Sequence, residues 1–179
     1  TPALRKSLAM GADSAVHILD DALIGSDLVQ TARVLAVAVR QIGFDLLIAG
    51  NESTDGRGGV IPSMIAEHLN VPAVTFLSRV DVTSSAVAGD RAREDSTTSV
   101  RASLPAVVAV TESVAEARFP SFKGIMQAKK KPLSTWSLAD LTFESSAPGR
   151  AKTRIVSTSV RPTRGAGVKL AYDANAGEK

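Results

Sequence analysis

The sequence predicts an α/β domain built around a mostly parallel sheet, and three observations lead to this fold class. The chain has 179 residues, 44% of them hydrophobic and 22% charged, which suits one globular domain with its own core. Strand-like and helix-like segments alternate in its first half, as in parallel strands joined by right-handed crossovers. Residues 44–49 and 104–110 are almost continuously apolar, which is typical of strands covered on both faces.

The first half of the chain contains clear helix boundaries. Ser26 is a favourable N-cap, apolar residues follow it at helical spacing, and Gly43 suits the end of that helix. Pro62 falls in the first turn of a later helix, where proline is well tolerated. The predicted elements of this half are a helix over 2–10, a strand over 13–19, a helix from Ser26 to Gly43, a strand over 44–49, a helix over 59–69 and a strand over 74–80.

The second half begins with alternating polar and apolar residues, which predict an antiparallel excursion with one solvated face. Its strands are predicted over 79–82, 87–93 and 99–102, before the buried strand over 104–110 and a short helix over 122–131. From about residue 145 the chain is rich in Ser, Thr, Gly and Arg and has little periodicity. We therefore expect a core over residues 1–144 and an extended or disordered arm over 145–179.

Composition excludes several kinds of site. The chain has no cysteine, so disulfides, thiolate metal sites and cysteine nucleophiles are ruled out. His17 and His68 stand in unrelated contexts and are expected to be structural rather than metal ligands. Residues 121–179 are basic, but the chain has a single Trp and a single Tyr to stack on bases, so no nucleic-acid partner is expected. No apolar run approaches the roughly 18 residues that span a bilayer, so no membrane insertion is expected either.

One constellation has a direct chemical role, a glycine-rich loop between a buried strand and a helix. Backbone N–H groups at a helix start attract phosphate, and such loops lie where open α/β sheets bind ligands. Arg57 would add a charged contact, and Asp55 would accept from a ribose hydroxyl or cap the helix. On the pattern alone, a tight structural turn is an equally good interpretation. The candidate cofactor-binding residues are Gly50, Asn51, Asp55, Gly56, Arg57, Gly58, Gly59, Val60 and Ile61.

Three ordered motifs resemble one known family, the electron-transfer flavoprotein β subunits, or FixA-type proteins. GNESTDGRGG with the following VIPSMIAEHLNVPAVTF is similar to the family's nucleotide loop. VAGDRAREDSTTSVRASLPAVVAV is similar to its hairpin and buried strand, and EARFPSFKGIMQAKKKP to its partner-recognition stretch. Many relatives have Gln-Thr-Gly where Gly56-Arg57-Gly58 stands, so phosphate contacts are expected to depend on backbone N–H groups and Arg57.

The resemblance implies a Rossmann-like, adenine-nucleotide α-hydrolase-like three-layer fold. A cytoplasmic location is expected. The resemblance further implies a heterodimer in which a larger α subunit holds most of the FAD, while this chain holds a structural AMP or, as in bifurcating relatives, a second FAD. Electrons would come from flavin dehydrogenases, such as those of fatty acid oxidation, and pass to a quinone oxidoreductase or similar acceptor. The chain would be an electron carrier without catalytic residues of its own.

The resemblance also implies a docking segment near residues 116–131. The apolar residues in it fall at helical spacing, and a lysine run would steer acidic partners. Packing of the same face onto its own domain is the alternative interpretation. The candidate docking residues are Arg118, Phe122, Ile125, Met126, Lys129, Lys130 and Lys131.

Relatives in this family begin with additional strands, so the fold is expected to be incomplete at the N-terminus of this chain, which begins with Thr1. A fragment, a shortened gene and processing are equally compatible with this start. Two other hypotheses stay open. One is a stand-alone adenine-nucleotide-binding regulator resembling universal stress proteins, and the other is a truncated, inactive relative.

Overall fold

A computed structural model describes residues 1–54, 56–143, 151–165 and 167. Its α-helices are α1 (Pro2–Ala9), α2 (Leu28–Ile42), α3 (Ile61–Leu69) and α4 (Phe122–Ala128). Its strands are β1 (Ala15–Ile18), β2 (Leu46–Gly50), β3 (Ala73–Leu77), β4 (Arg79–Val82), β5 (Ala86–Ala92), β6 (Thr97–Ser103), β7 (Ala106–Val110) and β8 (Leu133–Trp136). Short 3-10 helices cover Asp21–Leu23, Glu112–Val114 and Leu138–Asp140.

The described strands form three hydrogen-bonded sheets, two of them parallel. The central sheet has the order β2-β7-β3, with Leu46 opposite Ala106 and Gly50 opposite Val110. A second parallel pair joins β1 to β8 from Ala15 opposite Leu133. Strands β4, β5 and β6 form an antiparallel meander. The predicted α/β class, with mostly parallel strands and an antiparallel excursion, is confirmed.

Strand β7 is buried along four of its five residues, Ala106 to Ala109. Val107 packs against α2 and α3 in a cluster with Ala32, Ala36, Ile65 and Ala66. Val108 lies in a second cluster, with Val87 of β5 and with Leu77 of β3. Neighbouring residues of a strand point to opposite faces, so β7 has the helices on one face and the meander on the other. This double cover explains why its sequence is continuously apolar.

Several predicted boundaries differ by a few residues, and two of the differences have a clear local reason. Asp27, not Ser26, caps α2, because its carboxylate accepts from the Gln30 N–H at 2.9 Å while the Ser26 hydroxyl donates to the Leu23 carbonyl at 2.7 Å. The strand predicted over 74–80 stops at Leu77, because Ser78 already belongs with the meander and donates its N–H to the Asp90 carbonyl at 2.8 Å. Inside β3, Phe76 has φ of 60°, and the register with β7 shifts there.

The pairing of β1 with β8 has no counterpart among the predicted elements. Strand β8 has four residues, LSTW, which are too few for a period-two pattern to stand out. Just after β8, Leu138 and Leu141 pack with Val34 and Ala38 of α2. Residues 152–153 contact the start of α2. The second carboxylate oxygen of Asp27 accepts from the N–H groups of Lys152 and Thr153 at 2.7 and 3.2 Å.

Gly89 of β5 has no room for a side chain. A Cβ atom there would clash with the Arg79 carbonyl oxygen of the neighbouring strand β4 and lie 2.9 Å from Leu77 Cδ1 of β3. We expect Gly89→Ala to lower the free energy of unfolding by about 1–3 kcal/mol, the usual cost of overpacking. Urea unfolding of the purified protein measures it. Gly165→Ala is the matched control, because a Cβ there meets nothing within 4 Å. Equal midpoints for the two variants would contradict the close contact.

Candidate functional site

The carboxyl ends of β2 and β7 lie side by side and form one wall of a cavity. Asn51 continues β2 and donates its backbone N–H to the Val110 carbonyl at 2.9 Å. Thr111 continues β7, and its N–H donates to the Leu77 carbonyl of β3 at 2.9 Å. The cavity of about 380 Å³ lies between these two strand ends, lined by Gly50, Asn51, Glu52, Val110, Thr111 and Glu112. It is where ligands bind in open parallel sheets.

A second cavity of about 270 Å³ shares Gly50, Asn51 and Glu52 with the first and extends to the first turns of two helices. Leu28 at the start of α2 and Ile61 at the start of α3 line it. Gly58 lies between them, where a Cβ would approach Leu28 Cδ1 to 3.3 Å. Gly59 has φ of 63°, a conformation that side chains disfavour. A side chain at Gly58 would crowd Leu28, and one at Gly59 would strain the backbone, so glycine suits both positions before α3.

Asn51 is the polar side chain that points to a ligand most directly. Its Oδ1 atom is buried, and within the described residues it has no hydrogen-bond partner. A buried acceptor left unpaired costs about 1–3 kcal/mol, so Oδ1 calls for a partner such as a water molecule or a bound group. Asn51 also lines both cavities, so an amine or hydroxyl donor that reached Oδ1 would satisfy it.

Arg57 is already paired in the structure. Its Nε donates to Glu52 Oε1 at 3.0 Å, and its pKa is raised by that hydrogen bond and by the carboxylate charge. The cation is thus balanced by an anion at the mouth of the loop. An incoming phosphate would have to draw Arg57 away from Glu52 before gaining its charge.

The structure brings part of the predicted nucleotide loop to the cavities and leaves part outside. Gly50, Asn51, Gly58, Gly59 and Ile61 line them, whereas Gly56, Arg57 and Val60 do not. Asp55 lies outside the described residues. Sequence reasoning missed Leu28, Glu52, Thr111 and Glu112. The position of Thr111 directly after a buried strand was the available signal, because parallel strands end at one edge.

The predicted docking segment projects apolar side chains into solvent. Phe122 is 81% exposed, Met126 50% and Ile125 45%, and the preceding Phe119 is 95% exposed. Arg118 is exposed as well. These side chains are therefore not packed on their own domain, as the alternative interpretation would require.

Helices α1 and α4 hold each other through their ends. Arg5 of α1 donates to the Ala128 and Lys131 carbonyls at 2.7 and 3.0 Å, and Lys131 Nζ donates to the Leu8 and Ala12 carbonyls at 3.2 and 2.7 Å. Each cation thus binds two carbonyls at or just beyond the C-terminal end of the facing helix. Lys129 and Lys130 are exposed, so the three lysines have different surroundings.

Metal binding has no support in the described part of the chain, where no three His, Cys, Asp or Glu side chains are grouped to hold an ion. His17 is half-buried on β1, and His68 is exposed near the end of α3, where its carbonyl accepts from Arg40 at 2.7 Å. Among the described helices, none is both long enough and apolar enough to cross a membrane.

Comparison with known proteins places the chain in a family. The family model described as "Electron transfer flavoprotein domain" matches residues 1–141. The "Electron transfer flavoprotein subunit beta" of Mycobacterium tuberculosis (strain ATCC 25618 / H37Rv) is 43% identical over 182 residues, covering 100% of this chain and 68% of the relative. The protein of the same name from Mycobacterium leprae (strain TN) is 44% identical with the same coverage. These matches and the α/β architecture agree with the motifs of the nucleotide loop, hairpin and recognition stretch. The chain belongs to the electron transfer flavoprotein family, as one of its beta subunits, and its role is in electron transport.

Proposed function

We propose that this chain works in the cytoplasm as half of a heterodimer whose α subunit holds most of the FAD. The dimer takes electrons from flavin dehydrogenases of the acyl-CoA dehydrogenase type and passes them to a quinone oxidoreductase or a similar acceptor. FAD, when bound, supplies the redox chemistry. The observation that carries the proposal is the family match over nearly the whole described core, residues 1–141. In this role the chain is an electron carrier, and its own residues bind and position rather than catalyse.

The cavities beyond β2 and β7 support a bound AMP. The buried Oδ1 of Asn51 requires a donor, which an adenine amine or a ribose hydroxyl supplies. The Gly58-Gly59 backbone and the first turn of α3 face the same space and suit a phosphate. The position is at the end of the central sheet, so a nucleotide there would hold β2, β7, α2 and α3 together. Its role in this proposal is structural.

The exposed face of α4 supports docking to the dehydrogenase. Phe122 is the first residue of α4, with 81% of its surface exposed, and large apolar anchors of this kind dominate binding energies. Lys129 and Lys130 lie at the end of the same helix and would speed encounter with an acidic surface. Lys131 has a separate task, since its ammonium group holds α1.

Co-expression with the α subunit tests the proposal. We expect the chain alone to show no visible flavin absorption, and the purified pair to show the flavin spectrum and to release AMP on denaturation. Absorption spectroscopy and nucleotide extraction measure this. A homodimer that binds AMP or ATP and ignores the α subunit would favour the stand-alone regulator instead. A chain that melts without cooperativity and binds nothing would favour the inactive relative.

Substitution of Asn51 tests the nucleotide site. Asn51→Leu keeps the size of the side chain and removes the acceptor, so we expect AMP affinity of the heterodimer to fall at least about tenfold, or ~1.4 kcal/mol. FAD content should not change. Isothermal titration with AMP measures the affinity, and Gln127→Leu, an exposed amide on α4, is the matched control. Unchanged AMP binding by the Asn51 variant would remove this residue from the site.

Substitution of Lys131 and of Lys130, one at a time, should have different effects on stability and on docking. Lys131→Met leaves the Leu8 and Ala12 carbonyls without their cation, and we expect the melting temperature to fall by about 2–4 °C, for a loss near 1 kcal/mol. Lys130→Met should leave the melting temperature unchanged and slow association with the dehydrogenase at low salt. Differential scanning calorimetry and stopped-flow reduction measure the two effects. The same melting temperature in both variants would argue against the helix-end contact.

A further inference from the structure

A groove runs between α1 and α4, next to the exposed aromatic side chains of the docking segment. Its volume is about 650 Å³. Ala9 of α1 and Pro120, Ile125 and Ala128 of the docking segment form its apolar lining. Ala128 is buried at its floor, while Ile125 is 45% exposed at its wall. The groove is therefore wide enough for one large apolar side chain and open to solvent along its length.

The rim of the groove is positively charged. Arg5, Lys6 and Lys129 are the charged residues among the described residues that line it, and none of the lining residues there is acidic. The surroundings have the same sign, because α1 has two cations and no carboxylate and residues 116–131 have five cations and one carboxylate. An occupant with carboxylates beside its apolar group would meet complementary charge on both sides.

The groove is preformed rather than opened by a ligand. Helices α1 and α4 meet so closely at Gly124 that a Cβ atom there would clash with the Ala9 carbonyl oxygen. The contacts of Arg5 and Lys131 with the opposite helix ends fix their separation on the other side. A surface held this way loses little conformational entropy on binding, which favours affinity.

We propose that this groove receives an apolar side chain from an acidic amphipathic segment of the electron donor, so that the interface is anchored in both directions. Phe119 and Phe122 extend from this chain toward the donor, and the groove takes a side chain from it. The inference rests on the proposed docking function. Continuity decides for a protein occupant, because a small amphipathic anion in the groove would leave both phenylalanines in water, 95% and 81% exposed.

Filling the groove tests the proposal in the heterodimer with its α subunit. Ala9→Leu puts a larger side chain into the groove and keeps a strong helix former in α1. With a purified acyl-CoA dehydrogenase that reduces the wild-type heterodimer, we expect at least a tenfold rise in Kd, with flavin content unchanged. Ala3→Leu, on an exposed position of the same helix, is the matched control and should bind like the wild type.

Two further measurements, binding of Phe122→Ala and of decanoate, distinguish the groove from the docking function. If Phe122→Ala weakens binding and Ala9→Leu does not, the groove is overturned and docking stands. If neither variant weakens binding, docking by this segment also falls. If decanoate binds the wild-type heterodimer but not Ala9→Leu, and saturating decanoate leaves dehydrogenase binding to wild type unchanged, the groove is a small-anion site and the proposal is overturned.

A photo-crosslink covers the case in which Ala9→Leu does not fold. With benzoylphenylalanine in place of the exposed Lys6 at the rim, illumination of the complex should label a dehydrogenase segment in which an apolar residue is flanked by Asp or Glu. Mass spectrometry identifies the segment. Labelling confined to the α subunit, or to a segment without carboxylates, would overturn the proposal.

Discussion

Strand β7 is the constraint on which the rest of this structure depends. Its register with β2 and β3 brings Gly50 and Val110 to the same height, so both strand ends open into one cavity. Its two faces receive different layers, with α2 and α3 on one and the meander on the other. Four buried residues between Ala106 and Ala109 leave no place for a polar group in this strand. The polar residues that would bind a ligand therefore lie in the loops just beyond it.

Sequence patterns were sufficient for the elements with a strong local signal. The order of strands and helices through β7, and the end of α2 at Gly43, followed from periodicity and from glycine at a C-terminus. The family was recognisable from three ordered motifs. The pairing of β1 with β8 was not, because a four-residue strand obtains its stability from a partner more than 100 residues away in sequence.

The candidate sites show the same division between local and distant causes. Asn51 was predicted from its loop, but the lack of a partner for its Oδ1 emerges only when the surrounding atoms are in place. The approach of Leu28 to Gly58 joins two helices distant in sequence. The lysine run is uniform as a sequence, yet Lys131 reaches back to α1 while Lys129 and Lys130 remain exposed. The sequence shows where a charged side chain occurs, whereas the carbonyl groups that it contacts depend on the fold.

The carboxylate of Asp27 makes two contacts, distant from each other in sequence, depend on pH. One oxygen caps α2, and the other accepts from the Lys152 and Thr153 N–H groups. The hydrogen bond from Gln30, followed by those from Lys152 and Thr153, holds the pKa of Asp27 below the ordinary value. A lowered folded-state pKa gives stability that is present above the unfolded pKa and is lost as the pH falls through the folded one. Protonation would weaken the helix cap and the hold on residues 152–153 together. Binding of a single proton therefore loosens both the start of α2 and a segment 125 residues further along the chain.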